Sequence, residues 1–381
     1  MKWETVRLGD VTDSCLGKML DQEKNKGEYQ PYLANLNVRW GYFELDNLSV
    51  MRFEKHEEDR YGLRYGDLIV CEGGEPGRCA IWKDIIPNMK IQKALHRVRV
   101  HDDLDYRFLY YWFLLAGKRG ALEQYFTGST IKHMPGDKLK SIIIEKPPLE
   151  TQKRIADILS AYDDLIENNQ KQIKLLEEAA QRLYKEWFVD LRFPGHEHTA
   201  IVDGVPEGWR KGRIEDIAIF KRGKTITKSQ VNDGIIPVVA GGLEPAYFHN
   251  QANTVAPVIT ISGSGANAGY TRIYFEDVFA SDCSFADSKT TNNLYFIYCF
   301  LKASKESIDA LQKGSAQPHV YAKDINAMDL LIPTNDVFER FNQLSVNVFG
   351  KIGILQKQNK ELIQARDRLL PKLMSGEMEV I

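Results

Sequence analysis

Glycine-rich segments and proline pairs are the parts of this sequence whose residue types could do chemistry. The segment SGSGANAG (262–269) follows the apolar run PVITI, as a nucleotide-binding loop would, but its glycines are not spaced GxGxxG. A methyltransferase acting on adenine would need a D/N-P-P-Y/F-type motif, and the single PP, in EKPPLE (145–150), begins a helical pattern. No GxxxxGKS/T sequence is present. We therefore predict that the chain has no catalytic residue and binds no cofactor.

Metal and disulfide chemistry also have little support. His196 and His198 lie in the linker-like segment PGHEHT, which is a weak signal for a metal site. The five cysteines are scattered without a CxxC pair, which indicates reduced thiols and a cytoplasmic location. We predict no metal site.

Composition and charge limit the possible partners. The chain is 43% apolar and 27% charged, as in ordinary soluble proteins. Its longest apolar run, FLYYWFLLA (108–116), is too short to cross a membrane, and the N-terminus has no apolar signal region. The net charge is −2, so any binding to nucleic acid must use local basic faces.

The sequence contains one pattern twice. WETVRLGDVTDSCLGK (3–18) matches WRKGRIEDIAIFKRGK (209–224) at a shift of 206, and GSTIKH (128–133) matches GSAQPH (314–319) at a shift of 186. Several matched positions share each of these two shifts, so we infer a duplication. The two shifts differ by 20 residues, and we place these additional residues of the first copy in the charged segment 52–66.

A long helical pattern follows each copy. Apolar residues recur at spacings of four and three along 155–187 and, less regularly, along 341–373, which is the heptad pattern of a coiled coil. One such helix alone would expose its apolar stripe, so we predict that the two helices pair, antiparallel if the duplicated copies are related by a twofold axis. The alternatives are that each helix packs on its own copy or that the protein dimerises. The residues expected to pair are Ile155, Leu159, Tyr162, Ile166, Asn169, Ile173, Leu176, Leu183, Val348, Ile352, Leu355, Asn359, Leu362 and Leu369.

Each predicted seam contains one asparagine. An antiparallel register centred on residue 171 would bring Asn169 and Asn359 together, and a buried asparagine pair sets register at some cost in stability. At a rise of 1.5 Å per residue, about 35 residues form a helix roughly 50 Å long. Further apolar residues beside the seams would suit a four-helix contact with a partner: Leu165, Leu175, Phe188, Ile354, Ile363 and Leu370.

Several segments resemble the specificity (S) subunits of type I restriction–modification systems. They are similar to the first conserved helix of those subunits, to the junction with the second recognition domain and to the C-terminus. The segments are PPLETQKRIADILSAYDDLIENN (147–169), WFVDLRFPGHE (187–197), DGVPEGWRKGRIEDIA (203–218) and RDRLLPKLMSGEMEV (366–380). The resemblance follows the order of the whole chain but is thin at 19–127 and 226–313.

The resemblance implies an α+β fold in which two similar target recognition domains are held apart by two long helices, paired as an antiparallel coiled coil. Each domain would read one half of a bipartite site in double-stranded DNA, and the helices would fix the unread spacer and dock two methyltransferase subunits. Restriction subunits would join the full complex. S-adenosylmethionine, ATP and Mg²⁺ would be bound by those partners, and this chain would be no enzyme and have no membrane contact.

The same resemblance and the repeat divide the sequence into five segments. They are a first recognition domain (1–147), a first long helix (148–190), a linker (191–208), a second recognition domain (209–334), and a second long helix with the C-terminal tail (335–381).

The GSxxxH segments are the sharpest candidates for DNA contact, because a shared frame carries different side chains in the two copies. They could equally be turns in which His133 and His319 make structural hydrogen bonds. Basic residues also cluster at 83–99 and 210–228, which would suit phosphate contacts but is common on solvated faces. The candidate DNA-binding residues are Lys18, Ser129, Thr130, Lys132, His133, Lys221, Arg222, Lys224, Lys228, Ser264, Asn267, Ser315, Gln317 and His319.

Two other functional classes compete with DNA recognition. A duplicated coiled-coil scaffold without a nucleic-acid role would explain the repeat and the helices. A self-contained methyltransferase is disfavoured because no catalytic PP motif is present.

Overall fold

The computed structural model describes residues 3–21, 25–314 and 317–380. The chain forms two compact α+β units, unit 1 (1–166 with 360–381) and unit 2 (167–359). This partition cuts both long helices and so differs from the five segments read from the sequence, whose boundaries remain a prediction.

Six of the helices belong to one unit each, and the two longest contribute to both. None of the helices in the described ranges has an apolar stretch that could span a membrane. The helices are α1 (Glu58–Tyr61), α2 (Tyr106–Lys118), α3 (Gly136–Lys140), α4 (Leu149–Tyr184), α5 (Leu294–Ala303), α6 (Lys305–Ala310), α7 (Ala322–Asn326) and α8 (Asn335–Met374).

The strands of the two units repeat one plan. Those of unit 1 are β1 (Glu4–Arg7), β2 (Thr12–Leu16), β3 (Glu28–Leu33), β4 (Val38–Arg39), β5 (Tyr42–Phe43), β6 (Ser49–Phe53), β7 (Leu68–Cys71), β8 (Cys79–Ile81), β9 (Lys90–Ile91), β10 (Leu95–Val100) and β11 (Ile143–Lys146). Those of unit 2 are β12 (Ile201–Val202), β13 (Val205–Pro206), β14 (Arg210–Arg213), β15 (Lys221–Arg222), β16 (Ile236–Val239), β17 (Tyr247–His249), β18 (Val258–Ser262), β19 (Thr271–Tyr274), β20 (Phe279–Ala280), β21 (Cys283–Asp287) and β22 (Asp329–Ile332).

The sheet topology confirms the duplication. In unit 1 the strands pair as β1-β11, β2-β10-β7-β8 and β6-β3-β9, and in unit 2 they pair in the same order as β14-β22, β15-β21-β18-β19 and β17-β16-β20. The predicted fold class is therefore correct: the chain has two similar α+β units and two long helices.

The additional residues of the first copy are not in one place, as the sequence suggested. Pro31 and Val50, paired between β3 and β6, are 19 positions apart, whereas the matching pair Pro237 and Phe248 is 11 apart. The stretch from β6 to β7 is also longer than its counterpart. The single insertion predicted at 52–66 is thus only part of the difference, because the β4–β5 hairpin accounts for eight residues.

An apolar helix forms the centre of the core in unit 1. Asp105 begins α2 by accepting hydrogen bonds from the backbone N–H of Arg107 (2.8 Å) and Phe108 (3.1 Å), which satisfies two donors of its first turn. Phe108 and Phe113 are fully buried against β7, the start of α4 and the end of α8. The first half of α4 therefore packs with the second half of α8.

The opposite halves of the helices pack in unit 2. The rings of Tyr184, Trp187 and Phe188 meet Phe341 of α8 and Phe296 of α5, with centroid distances of 5.1 Å for Phe188–Phe341 and 4.8 Å for Phe188–Phe296. Because the end of α4 meets the start of α8 here, and its start meets the end of α8 in unit 1, the two helices run antiparallel, as predicted.

Both seams are buried or half-buried at every heptad position. In unit 2, the Asn169 Nδ2 donates to the Asn359 Oδ1 at 2.9 Å, and both side chains are buried, as the antiparallel register requires. In unit 1, Asp163 accepts hydrogen bonds from Arg366, at a seam position, and from the Tyr111 hydroxyl (2.6 Å). These polar contacts exclude registers in which each group would be buried without its partner.

Asn169→Leu should destabilise unit 2 by about 1–3 kcal/mol, because the buried amide of Asn359 would lose its partner. The double variant Asn169→Leu/Asn359→Leu should recover most of that loss, since two leucines can pack at these positions. Denaturant unfolding of the full chain, with the single variants completing a double-mutant cycle, measures the coupling. Additive losses in the double variant would contradict the contact.

Two of the apolar residues expected to face a partner are instead in the cores. Phe188 is 6% exposed and Leu370 is fully buried, so the prediction for them was wrong: they fill their own units. The other four of the set, Leu165, Leu175, Ile354 and Ile363, are exposed on the helices.

Candidate nucleic-acid interface

The larger sheet of each unit gathers loops at one end, which we call the loop end. In unit 1, β2 and β7 both run antiparallel to β10, which lies between them, so their C-terminal ends lie at the same end of the sheet. The segment 72–77 follows β7 there and meets segment 127–133, which is far away in sequence. Gly73 forms a bridge with His133, and the Met134 N–H donates to the Glu72 carbonyl at 2.7 Å.

Residues 128–132 form a closed, projecting loop at this end. Thr127 and His133 exchange backbone hydrogen bonds of 2.7 and 2.9 Å across its base. Gly128 has φ +87°, and a Cβ there would lie 2.3 Å from the Ile131 carbonyl oxygen, so the turn requires glycine. Ser129, Thr130 and Lys132 are exposed on the loop.

Unit 2 closes the corresponding loop in the same way. Lys313 and His319 exchange backbone hydrogen bonds of 2.9 and 2.8 Å, and His319 forms a bridge with Ser264 in the loop that follows β18. Gly314 has φ +95°, and its Cβ would lie 2.7 Å from the Gln317 carbonyl oxygen. Gln317 is exposed on the loop, whereas the candidate Ser315 lies outside the described residues.

Four candidate side chains take part in internal contacts at the loop ends. The His133 Nδ1 is 3.6 Å from the Glu72 carboxylate, and the His319 ring stacks on Tyr321. The Ser264 hydroxyl donates to the Asp282 carboxylate, and the Asn267 Nδ2 donates to the Gly241 carbonyl at 3.3 Å. These groups hold the loops in shape, while the loop tips carry the exposed side chains.

The basic cluster at 83–99 does not form the exposed face that the sequence suggested. Lys90 is fully buried, with its ammonium 2.8 Å from Glu58, and Arg97 is buried with a 2.7 Å hydrogen bond to the Asp59 carbonyl. Arg99 pairs with Asp67 at 2.7 Å. His96 is buried beside the Met134 carbonyl, and burial lowers its pKa, which favours the neutral ring. Lys90, Arg97 and Arg99 are therefore structural, because their partners lie in segment 54–62 and at Asp67. Lys83 and Lys93 of the same cluster are exposed.

Lys18 lies at the loop end of unit 1 but is also buried. Its side chain is 4% exposed, and its ammonium is 2.6 Å from the Glu57 carboxylate. The structure therefore argues against direct contact between Lys18 and a phosphate. By contrast, Lys221, Arg222, Lys224 and Lys228 of unit 2 are all exposed.

Two residues that the sequence reading did not single out support the loops. The Asn35 Nδ2 donates to the Gly73 carbonyl at 2.8 Å, and Asp282 accepts the hydrogen bond from Ser264. The repeat could have pointed to Asn35. A shift of 206 aligns Asn35 with Gly241, whose carbonyl accepts a hydrogen bond at the loop end of unit 2.

Comparison with known proteins agrees with the duplicated architecture. The family model described as the type I restriction modification DNA specificity domain matches residues 1–178 and again residues 206–363. This chain belongs to that family. The resemblance read from the sequence is thus confirmed, and each specificity domain of the family corresponds to one copy of the repeat.

Individual specificity subunits are similar over most of their length. The type I restriction enzyme MjaIX specificity subunit of Methanocaldococcus jannaschii is 30% identical, over 83% of this chain and 78% of the relative. The MjaVIII specificity subunit of the same organism is 29% identical, over 99% and 93%. The crystal structure of a type I restriction–modification S subunit from M. genitalium covers 97% of this chain and 96% of its own, with a TM-score of 0.57 at 20% identity, and shows the same fold.

Proposed function

We propose that this specificity-family chain is the DNA sequence-recognition subunit of a type I restriction–modification complex. Unit 1 reads one half of a bipartite target and unit 2 reads the other half. One observation carries the proposal: each unit closes a loop after a glycine with positive φ, at the corresponding end of its larger sheet, and one loop exposes Lys132 where the other exposes Gln317. Two unlike half-sites can be read by loops that share a backbone conformation at their base but carry different exposed side chains.

Base reading needs side chains that can form hydrogen bonds or apolar contacts at base edges. Thr130 and Lys132 of unit 1 and Gln317 of unit 2 are exposed and have suitable groups. Ile131 is 63% exposed and could contact a thymine methyl group. Phosphate contacts from basic residues would add affinity that falls with salt, without adding sequence choice.

The long helices would fix the unread spacer between the half-sites. Helices α4 and α8 each contribute to both units, and their antiparallel seam has a register set by the Asn169–Asn359 contact. A paired helix resists bending and stretching, so the gap between half-sites should have one length.

The exposed apolar residues of the helices would seat two methyltransferase subunits. In unit 1 these are Leu165 and Ile363, and in unit 2 they are Leu175 and Ile354, with exposed fractions from 38% to 64%. Apolar patches that are exposed on a surface and rimmed by polar residues are typical of protein interaction sites. Catalysis would belong to the partners, with S-adenosylmethionine on the methyltransferase and ATP and Mg²⁺ on restriction subunits.

Co-expression with the methyltransferase subunit encoded beside this chain tests the proposal. Modified positions in the host DNA are mapped by sequencing, and cells with the methyltransferase alone serve as the control. We expect methylation at a two-part motif with a fixed gap, dependent on this chain. A stable complex that modifies no DNA would instead favour the coiled-coil scaffold.

A further inference from the structure

The two units place a Gly-Lys pair at the same point of the fold. The Gly17 N–H donates to the Leu95 carbonyl at 2.9 Å, and the Gly223 N–H donates to the Cys283 carbonyl at 2.8 Å. A Cβ on either glycine would lie within 2.4 Å of a carbonyl oxygen on the neighbouring segment. Lys18 and Lys224, the next residues, therefore start from equivalent backbone positions at the loop ends.

In unit 1 a short segment covers this edge of the sheet. The segment comprises the 3-10 turn Lys55–Glu57 and helix α1 (Glu58–Tyr61). Glu57 pairs with Lys18 at 2.6 Å, and the Cys15 thiol on edge strand β2 donates to the Arg60 carbonyl at 2.9 Å. Burial raises the pKa of Cys15, in keeping with a neutral thiol under the cover.

In the part of unit 2 that the structure describes, no segment corresponds to this cover. Val50 and Ile69, on either side of the covering segment, are 19 positions apart. Phe248 and Thr260, which have the equivalent strand partners in unit 2, are 12 positions apart. The side chains change with the cover. Cys15 and Leu16 of unit 1 correspond to Lys221 and Arg222 of unit 2, since they pair with equivalent residues of the neighbouring strands β10 and β21.

Exposed basic residues of unit 2 lie on the edge strand β15 and just beyond its end. We call Lys221, Arg222 and Lys224 the basic edge. All three are exposed, and within the described ranges no ion pair involves any of them, whereas Lys18 is neutralised by Glu57. Lys221 also borders a polar cavity of about 500 Å³ with Asp216 and Asp287, which should reduce its attraction for an anion.

The basic edge ends beside the loop that carries Gln317. Arg222 pairs with Ser284 on β21, and Cys283 at the start of β21 pairs with Ser262 at the end of β18. The loop after β18 then bridges to His319 through Ser264. The basic edge and the loop that carries Gln317 therefore lie at the same end of the sheet.

We propose, resting on the proposed function, that the basic edge of unit 2 grips the sugar–phosphate backbone beside the second half-site, whereas the covered edge of unit 1 makes no such contact. Duplex DNA carries closely spaced negative charges, and unpaired Lys and Arg side chains release its counterions on binding. The two units are thus alike in how they present a reading loop and unlike in how they hold the backbone.

Exposed basic residues on an edge strand have another possible purpose. Lys and Arg at such positions prevent two edges from pairing and aggregating. That role predicts aggregation when the charges are removed, but no change in the salt dependence of DNA binding. The two roles are therefore separable by one set of variants.

The test uses the complex of the full chain with its methyltransferase subunits. Arg222→Gln/Lys224→Gln is compared with Lys211→Gln/Lys302→Gln, which removes two exposed charges of unit 2 away from the basic edge, since Lys211 lies on β14 and Lys302 lies near the end of α5. Affinity for a duplex containing the mapped target is measured across salt concentrations. The slope of log affinity against log salt should fall by about 2 in the first variant, since each lost phosphate contact removes about 0.9.

The methylated motif should stay unchanged in both variants, because backbone contacts carry no sequence information. An unchanged slope in the Arg222→Gln/Lys224→Gln complex, with or without aggregation, would overturn the basic edge as a backbone contact. An equal fall in both variants would overturn it as well, since it would show only a general charge effect. Failure of the unaltered complex to methylate a two-part motif would instead overturn the proposed function.

Discussion

Lys132→Ala should impair recognition of one half-site and leave the other unchanged. Lys132 is exposed on the closed loop 128–132 of unit 1, and loss of one good base contact costs about 1–3 kcal/mol, or roughly 5- to 150-fold in discrimination. Gln317→Ala should have the same effect on the opposite half-site. Methylation rates on duplexes with single base changes across both half-sites measure the two effects.

Lys138→Ala provides the matched control, because Lys138 is an exposed lysine of α3 in the same unit but outside the loop. It should leave discrimination at both half-sites intact. If Lys132→Ala and Gln317→Ala both leave base preference unchanged, the GSxxxH loops are structural turns and the reading residues lie elsewhere.

Phe341→Ala should destabilise unit 2 by about 3–5 kcal/mol. Phe341 is fully buried, and its ring packs among those of Trp187, Phe188 and Phe296. Truncation removes this contact area and leaves a cavity that the rigid neighbouring rings can fill only in part. Hydrogen exchange of the full chain should show lost protection in the core peptides of unit 2.

Leu344→Ala, one turn further along α8, is the appropriate comparison because Leu344 is 48% exposed. It should change stability by well under 1 kcal/mol in the free chain. Equal losses of protection in the two variants would contradict the aromatic core as the structure shows it.

The long helices and the repeat could be predicted from sequence because both leave periodic signals. Heptad spacing depends only on residue type and position, and an antiparallel seam follows from it if the duplicated copies are related by a twofold axis. Even the contact between Asn169 and Asn359, which are 190 positions apart, follows from register arithmetic.

The burial of charged residues could not be predicted in the same way. From sequence, Lys18 is a candidate for DNA contact and Lys90 belongs to a basic cluster, but Glu57 and Glu58 neutralise them from a segment that has no equivalent among the described residues of the other copy. Such pairing depends on tertiary contacts between distant segments. Comparison of the copies could have raised the question, because Lys90 corresponds to Phe279, an apolar residue on the equivalent strand.

The sequence predicts parts of the loop ends but not which segments meet there. Segments 128–133 and 262–269 stood out by composition, yet nothing local in the sequence places segment 72–77 against His133, or segment 262–269 against His319. These neighbours follow from strand order. The assignment of Ser264 and Asn267 to loop support follows from their hydrogen bonds to Asp282 and Gly241, which sequence spacing does not reveal.

If the paired helices set the distance between the half-sites that the two units read, methylation must depend on the length of the gap. The most direct measurement is methylation by the reconstituted complex of synthetic duplexes that carry both mapped half-sites, with the native gap or with gaps changed by one to several base pairs. We expect methylation at the native gap and strong loss at every other gap or with one half-site alone. Equal methylation at all gap lengths, or of a single half-site, would show that the helices fix no spacing between two reading units.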